Sequence, residues 1–339
     1  MARGDTMTRY VRQQLVPGVG LEGQEILSSA RVLVAGAGGL GVPVLQYLAG
    51  AGVGHITLVD PDVVAEHNLH RQPLYGMSDI GRPKAVAAAD ALNRLNPEVS
   101  VLPVTQWLDS LTAAELLEGC DIALDCGDNF AVSYTLSDYC LASGRPLISA
   151  SALGTEGFVA GYCGGAPSMR AVFPELPGEA GSCATAGIMG PVVAALGALQ
   201  AQMALAVLLG IEPSPLGTML TLDARNWRTS AFRFHDAPEP AGPLLRFVSA
   251  AAVTPEDLAI DLRGEVEAPE TVVPHAVRMR VEDVAAGLQV PAGTARVAIC
   301  CSTGVRAWAA ARSLQVIWPG EVVVVAAGDS QHMPGTGCD

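Results

Sequence analysis

The chain has 339 residues, a formal net charge of -14, half of its residues hydrophobic and only 16% charged. That composition excludes a disordered chain and gives enough length for two domains that each bury a core. The acidic balance argues against sequence-independent nucleic-acid binding and against an anionic membrane surface, and it suits a partner with a basic patch. In chain order, Arg31 to Ala35 is a continuous apolar run ending at glycines, the pattern of a buried parallel strand. The glycine-rich turn Gly36 to Gly41, a helix from about Val42 to Ala51 and a strand from His55 to Asp60 complete a βαβ unit. Lys84 to Leu95 reads as a helix closed by Asn96-Pro97, and Ser100 to Val104 as a strand. A strand at 121–125, a helix from Phe130 to Ala142 and a strand from Pro146 to Ala150 continue the alternation. Gly187 to Gly210 carries no charge, yet Pro191, Gln200, Gln202 and many small residues favour a long buried helix over a membrane span.

Three prolines between His235 and Pro243 mark a stiff linker, placed at 236–245. Beyond it, 246–329 reads as a smaller α/β domain. Its strands are Leu258 to Leu262, Ala295 to Cys300 and Glu321 to Ala326, with a helix from Val305 to Leu314. Residues 330–339 read as a loose tail. Eight cysteines without a C-x-x-C pair, and no secretory apolar segment, point to a cytoplasmic protein with mostly reduced thiols.

The glycine turn predicts a nucleotide phosphate lying against the backbone. Gly36 serves the tight turn, Gly38 or Gly39 a close approach, and Gly41 close helix packing with the helix N-terminus facing the anion. Asp60 ends the next strand, where a carboxylate can bind ribose hydroxyls. Asp62, Asn68, Arg71, Gln72 and Lys84 follow closely. Two cations there suit attack on the α-phosphate of ATP better than hydride transfer, because charge develops on that phosphate and on the leaving pyrophosphate. Lys84 stands out further, since the 20 basic residues are 19 arginines and this one lysine. Asp128 and Asn129 lie at the C-terminal end of a strand, and Asp128 is suited to hold Mg²⁺.

These blocks, together with Arg9 to Gln13, Asn68 to Gln72, Ile80 to Lys84, Asp125 to Asn129 and Cys183 to Gly187, resemble the E1-like adenylyltransferases of the ThiF/MoeB type. The resemblance covers roughly residues 1–235 and implies a Rossmann-like doubly wound sheet. It implies that Asp60 binds ribose, that Asn68, Arg71 and Lys84 contact ATP phosphates, and that Asp128 binds magnesium. It implies a homodimer in which Arg12 reaches the partner's site, and an acyl- or sulfur-accepting role for Cys183. Relatives usually carry two C-x-x-C pairs on zinc. The first pair falls here on Ser168 and Ala171 and the second near the cysteine-free linker, so no structural zinc is expected.

In the smaller domain, Cys301 to Arg306 follows a strand and opens a helix. Such a loop aims backbone N–H groups at an anion, and Cys301 is the expected thiolate nucleophile supported by Arg306. With Ile260 to Arg263 and Pro274 to Ala276 it resembles a rhodanese-like sulfurtransferase, and Cys301 matches the persulfide-bearing residue. The departures are Ala307 after the loop arginine and Ala327-Gly328 in place of a terminal Gly-Gly. The expected function is ATP-dependent adenylation of the C-terminal glycine of a ubiquitin-like sulfur carrier ending in Gly-Gly. Sulfur transfer from thiosulfate or a desulfurase persulfide would then give a thiocarboxylate. The alternative is an adenylating enzyme for a peptide or secondary metabolite whose second domain is not catalytic.

Overall fold

The computed structural model describes residues 9–176 and 187–328. Helices α1 (Val11–Gln14) and α2 (Gly20–Ser29) lead into β1 (Arg31–Ala35), α3 (Gly41–Ala51) and β2 (His55–Val59). Two short 3₁₀ turns at Glu66–Asn68 and Met77–Asp79 precede α4 (Lys84–Leu95), β3 (Ser100–Val104) and α5 (Ser110–Leu117). Then come β4 (Ile122–Asp125), α6 (Phe130–Ser143), β5 (Pro146–Leu153), β6 (Glu156–Cys163) and α7 (Met169–Val172). Helix α8 (Gly190–Leu208), β7 (Thr218–Asp223) and β8 (Arg228–Arg233) complete an eight-stranded sheet in the order β3-β2-β1-β4-β5-β6-β7-β8. Its first five strands are parallel and its last four pair antiparallel.

The central strands are buried on both faces, as their continuous apolar runs require. Helix α8 covers β5 and β6 and crosses α3, and that position accounts for its lack of charge. A Cβ at Gly197 would stand 2.5 Å from Leu40 O and Pro43, so glycine sets how closely α8 approaches α3. Gln200 is fully buried; its amide donates to Asp125 O at 2.7 Å and to Ile148 O at 3.0 Å, tying the ends of β4 and β5 to the helix.

Several elements of this unit were not expected, the short helices α1 and α7 among them. Helices α2 and α5 lack a strong apolar stripe, although α5 has a legible cap in Asp109, whose side chain accepts from Leu111 and Thr112 N–H groups. Strand β6 carries glycines where close approach demands them: a Cβ at Gly161 would meet Pro215 O at 2.8 Å. Strand β8 is the sheet edge and exposed throughout, and β7 beside it is mostly half-buried, so neither shows a buried apolar run.

The second unit is a parallel five-stranded sheet of β9 (Arg246–Phe247), β10 (Leu258–Asp261), β11 (Val277–Arg278), β12 (Arg296–Cys301) and β13 (Glu321–Ala326). Its order is β11-β10-β12-β13-β9, flanked by α9 (Val281–Ala285) and α10 (Val305–Ile317). Cys300 and Cys301 are both buried, but in hydrophobic clusters on opposite faces of β12.

The segment 236–245, expected as a spacer, is fastened to the first unit. Both carboxylate oxygens of Glu239 accept from Ser168, one from its N–H and one from its hydroxyl, each at 2.6 Å. Arg170, almost fully buried, forks onto Asp138 at 2.6 and 2.9 Å and donates to Leu245 O at 2.8 Å. Its guanidinium lies 4.9 Å from the ring centre of Tyr134 and 5.5 Å from that of Trp308. Phe247 stacks on Trp308 with centroids 5.6 Å apart, and Tyr134 meets Trp308 at the same spacing. One hydrophobic cluster therefore runs from α6 of the first unit into β12 and α10 of the second. The expected tail at 330–339 lies outside the described residues.

Candidate functional site

The site is built where β1 turns into α3. Gly36 has φ +100°, and a Cβ there would meet the Cys126 carbonyl group at 2.9 Å. A Cβ at Gly41 would fall 1.9 Å from Gly36 O. Neither position admits a side chain, so the turn is pressed against the loop after β4. Gly39 has Val193 of α8 at 3.1 Å, whereas Gly38 has only the Gln72 amide nitrogen within 4 Å, at 3.7 Å. The open face of the turn is thus at Gly38. Gln72 is buried beside it, and its Oε1 has no hydrogen-bond partner among the described residues. Such an amide retains the hydrogen-bonding capacity that a bound nucleotide would use.

Asp60 is buried at the end of β2. One carboxylate oxygen accepts from Ala37 N–H at 2.7 Å and the other from Asp62 N–H at 2.9 Å. Burial pushes its pKa up, against the opposing pull of the Lys84 charge and of the Ala37 N–H. The carboxylate therefore organises the glycine turn itself, with lone pairs remaining for ribose hydroxyls. Lys84 opens α4, is 6% exposed, and places Nζ 2.8 Å from an Asp62 oxygen. Tyr75 joins the two groups, its hydroxyl donating to Ala37 O at 2.8 Å and approaching Lys84 O at 3.4 Å. Asn68 is buried on the 3₁₀ turn. Arg71 leans back on its own segment, donating to His67 O at 3.3 Å and lying 2.9 Å from His70 Nε2.

Opposite, Asp125 ends β4 wholly buried. It accepts from Ser149 Oγ at 2.8 Å and Gly127 N–H at 3.3 Å, and burial raises its pKa. Asn129 caps α6 by accepting from Ala131 N–H at 2.8 Å. Asp128, between them, is exposed at the strand's C-terminal end. A single exposed carboxylate fits Mg²⁺, which keeps much of its water and is completed by substrate phosphates.

The structure thus gathers Gly36, Gly38, Gly39, Gly41, Asp60, Asp62 and Lys84 with the loop bearing Asp128 and Asn129. Arg12 is exposed on α1 and takes no part in these hydrogen bonds. Cys183 lies outside the described residues. Tyr75 and Ser149 were not singled out from the sequence, and Gln200 was read only as a sign of a buried helix. Each acts through hydrogen bonds to backbone or carboxylate groups distant in sequence, which no local pattern signals. Among the described residues no group of three or more His, Cys, Asp or Glu is placed to hold a metal ion.

In the second unit Cys301 ends β12. Its Sγ accepts from Gly304 N–H at 3.1 Å and Ala307 N–H at 3.4 Å, so the loop does curl its backbone donors toward the sulfur. The thiol is nevertheless fully covered and not at an open mouth. Glu267 closes the loop, its carboxylate accepting from both Ser302 Oγ and the Arg306 guanidinium. Burial alone would raise the Glu267 pKa, but those two bonds hold it below its ordinary value. Arg263 forks onto the buried Asp261 at 3.0 and 2.8 Å and anchors the segment that carries Glu267.

Residues 10–243 match the ThiF family. The pig protein named adenylyltransferase and sulfurtransferase MOCS3 is 45% identical over 223 residues, covering 65% of this chain and 49% of that one. Adenylyltransferase and sulfurtransferase UBA4 of Yarrowia lipolytica is 47% identical over 217 residues, covering 63% of this chain and 54% of its own. The chain spans about half the length of these curated relatives. Among solved structures, Escherichia coli MccB with ATP superposes with a TM-score of 0.59 at 22% identity, over 68% of this chain and 72% of that one. That likeness shows a shared fold. With the family match extending over the whole first unit, the chain belongs to the ThiF family.

Proposed function

We propose that this protein adenylates the C-terminal glycine of a ubiquitin-like sulfur-carrier protein ending in Gly-Gly and then passes sulfur to it, giving a thiocarboxylate. The observation that carries the reading is the cluster of Lys84, Asp62, Asp60 and the Ala37 N–H around a side-chain-free glycine turn. ATP is the substrate this cluster suits. Backbone N–H groups at the start of α3 face its phosphates, Asp60 offers lone pairs to the ribose, and Gln72 supplies an unsatisfied amide. Lys84, released from Asp62, and Arg71, released from His70, would neutralise charge on the α-phosphate and the departing pyrophosphate. Asn68 completes that contact set. Mg²⁺ on Asp128 would supply further charge neutralisation on the phosphate oxygens.

A carrier carboxylate oxygen attacks the α-phosphorus, the bond to pyrophosphate breaks, and an acyl-adenylate forms. The second unit reads as rhodanese-like, with Cys301 carrying a persulfide in the anion-binding loop and Arg306 steadying its charge. The terminal sulfur displaces AMP, and a second thiol then frees the thiocarboxylate and leaves a disulfide. Cys183 is the candidate for that thiol. The sulfur enters from thiosulfate or a desulfurase persulfide. The protein works as a homodimer to which Arg12 contributes across the interface, and in the cytoplasm, which suits the free thiols of Cys120, Cys126, Cys140, Cys163, Cys300 and Cys301.

A second reading, an adenylating enzyme for a peptide or secondary metabolite with a silent second domain, is favoured by the covered Cys301 thiol. Intact mass of a Gly-Gly-ended carrier after incubation with ATP and thiosulfate separates the two. The first reading expects oxygen replaced by sulfur, and replacement lost in Cys301→Ser. An adenylate that never becomes a thiocarboxylate supports the second.

A further inference from the structure

A cavity of about 550 Å³ lies between the two units. That volume is in the range of ligand pockets in general. Its walls come from the C-terminal ends of strands in both sheets. Trp107 and Asp109 follow β3 and Asn129 follows β4, while Arg263 follows β10 and Ala327 follows β13. In the first sheet β3 and β4 flank β2 and β1, the strands that deliver Asp60 and the glycine turn. In the second, β10 and β13 flank β12, which ends at Cys301. Parallel sheets place their chemistry at their carboxyl ends, and here two such ends face one another across a single space.

The reactive residues themselves do not line the cavity, but neighbours of both sites do. Asn129 is the next residue after Asp128 and caps α6. Ala327 N–H donates to Cys301 O at 2.9 Å, and Gly328 N–H to Ser302 O at 2.9 Å. The segment carrying Glu267, the residue that closes the Cys301 loop, also supplies Thr271 to the wall. The two units are held in this arrangement by the Arg170 clamp and by Ser249 N–H donating to Ser110 Oγ at 2.9 Å.

We propose that this cavity is the passage through which the extended Gly-Gly tail of the carrier moves from the adenylation site to Cys301 within one chain. The proposal deepens the function given above and presumes its two steps. A tail of glycines is narrow enough for the space. Ser and Thr hydroxyls on the walls, together with Asn129, offer hydrogen bonds to its backbone. Opening of the Glu267 contact completes the route to the sulfur.

The test fills the passage from either wall, with Val132→Trp on α6 and, separately, Thr271→Trp. Three reactions are followed in the full chain: carrier-dependent ATP–pyrophosphate exchange, sulfur transfer from thiosulfate to cyanide, and carrier thiocarboxylate by mass. The passage predicts that both partial reactions stay within about two-fold of wild type, while thiocarboxylate formation falls more than ten-fold. A second arm co-expresses Lys84→Ala chains with Cys301→Ser chains and purifies the mixed dimers. Passage within one chain predicts no thiocarboxylate from them. Wild-type thiocarboxylate rates in both filled variants, or product from the mixed dimers, would overturn the proposal. Absence of exchange or of cyanide transfer in the wild type would instead overturn the two-step function beneath it.

Discussion

Replacing Arg170 by leucine should loosen the second unit from the first. The guanidinium is 3% exposed, so its charge is held almost entirely by protein groups. Removing it strands Leu245 O in a buried place, at a cost of about 1–3 kcal/mol. The Asp138 carboxylate loses two bonds, but at 28% exposure it recovers water, and its pair contributes only about 1 kcal/mol. Loss of the stacked positions over Tyr134 and Trp308 adds about 1 kcal/mol. Leucine keeps some of the aliphatic packing, so the net loss should be about 3–5 kcal/mol. Urea unfolding read by tryptophan fluorescence, with limited proteolysis across 236–245, measures it. The expected result is an early transition and accelerated cleavage in the variant, with carrier-dependent ATP–pyrophosphate exchange retained. A loss under about 1 kcal/mol with unchanged cleavage would refute the view that Arg170 clamps the units together.

Lys84→Arg should reduce exchange at least about 100-fold in a chain that still unfolds cooperatively, because a forked guanidinium does not fit the slot that holds the ammonium against Asp62; retained exchange would return Lys84 to a structural role. Gly36→Ala should destabilise by about 2–5 kcal/mol, since φ is +100° and the Cys126 carbonyl lies 2.9 Å from the added carbon; a neutral effect by thermal unfolding would contradict the pressed turn. Burial raises the pKa of Asp261, but the Arg263 side chain and the N–H groups of Arg263 and Val272 outweigh it, so the folded value lies below the usual carboxylate one. That contribution is therefore full above the unfolded value, near 4, and is lost as pH falls through the folded one. Asp261→Asn should flatten the acid limb of the second unit's stability curve, and an unchanged limb would count against the pair. Glu267→Gln should speed thiosulfate-to-cyanide transfer by weakening the closure over Cys301; a slower rate would show that Glu267 assists the reaction.

The first unit was legible where period and chemistry coincide. β1, α4 and β3 lie at the limits read from apolar runs and breakers, as β13 does in the second unit, and the glycine turn announced its own contacts. The antiparallel half was not legible, because β6 spends its strand positions on Gly157 and Gly161 and β8 faces solvent throughout. The linker misled for a similar reason. Prolines do stiffen 236–245, but Glu239 and Leu245 are fastened by Ser168 and Arg170, which lie far away in sequence. The same long range hides the roles of Tyr75, Ser149 and Gln200, whose bonds reach residues far away in sequence. Glu267 shows no motif at all, although it ties Ser302 and Arg306 of the Cys301 loop together.

Carrier-dependent exchange of labelled pyrophosphate into ATP is the most direct measurement of the central claim. It reports reversible formation of the acyl-adenylate and needs neither the sulfur step nor the second unit. The account predicts exchange that appears only with a carrier ending in Gly-Gly, disappears when that terminus is removed, and is lost in Lys84→Ala. No exchange with any such carrier, or exchange undiminished in Lys84→Ala, would contradict it.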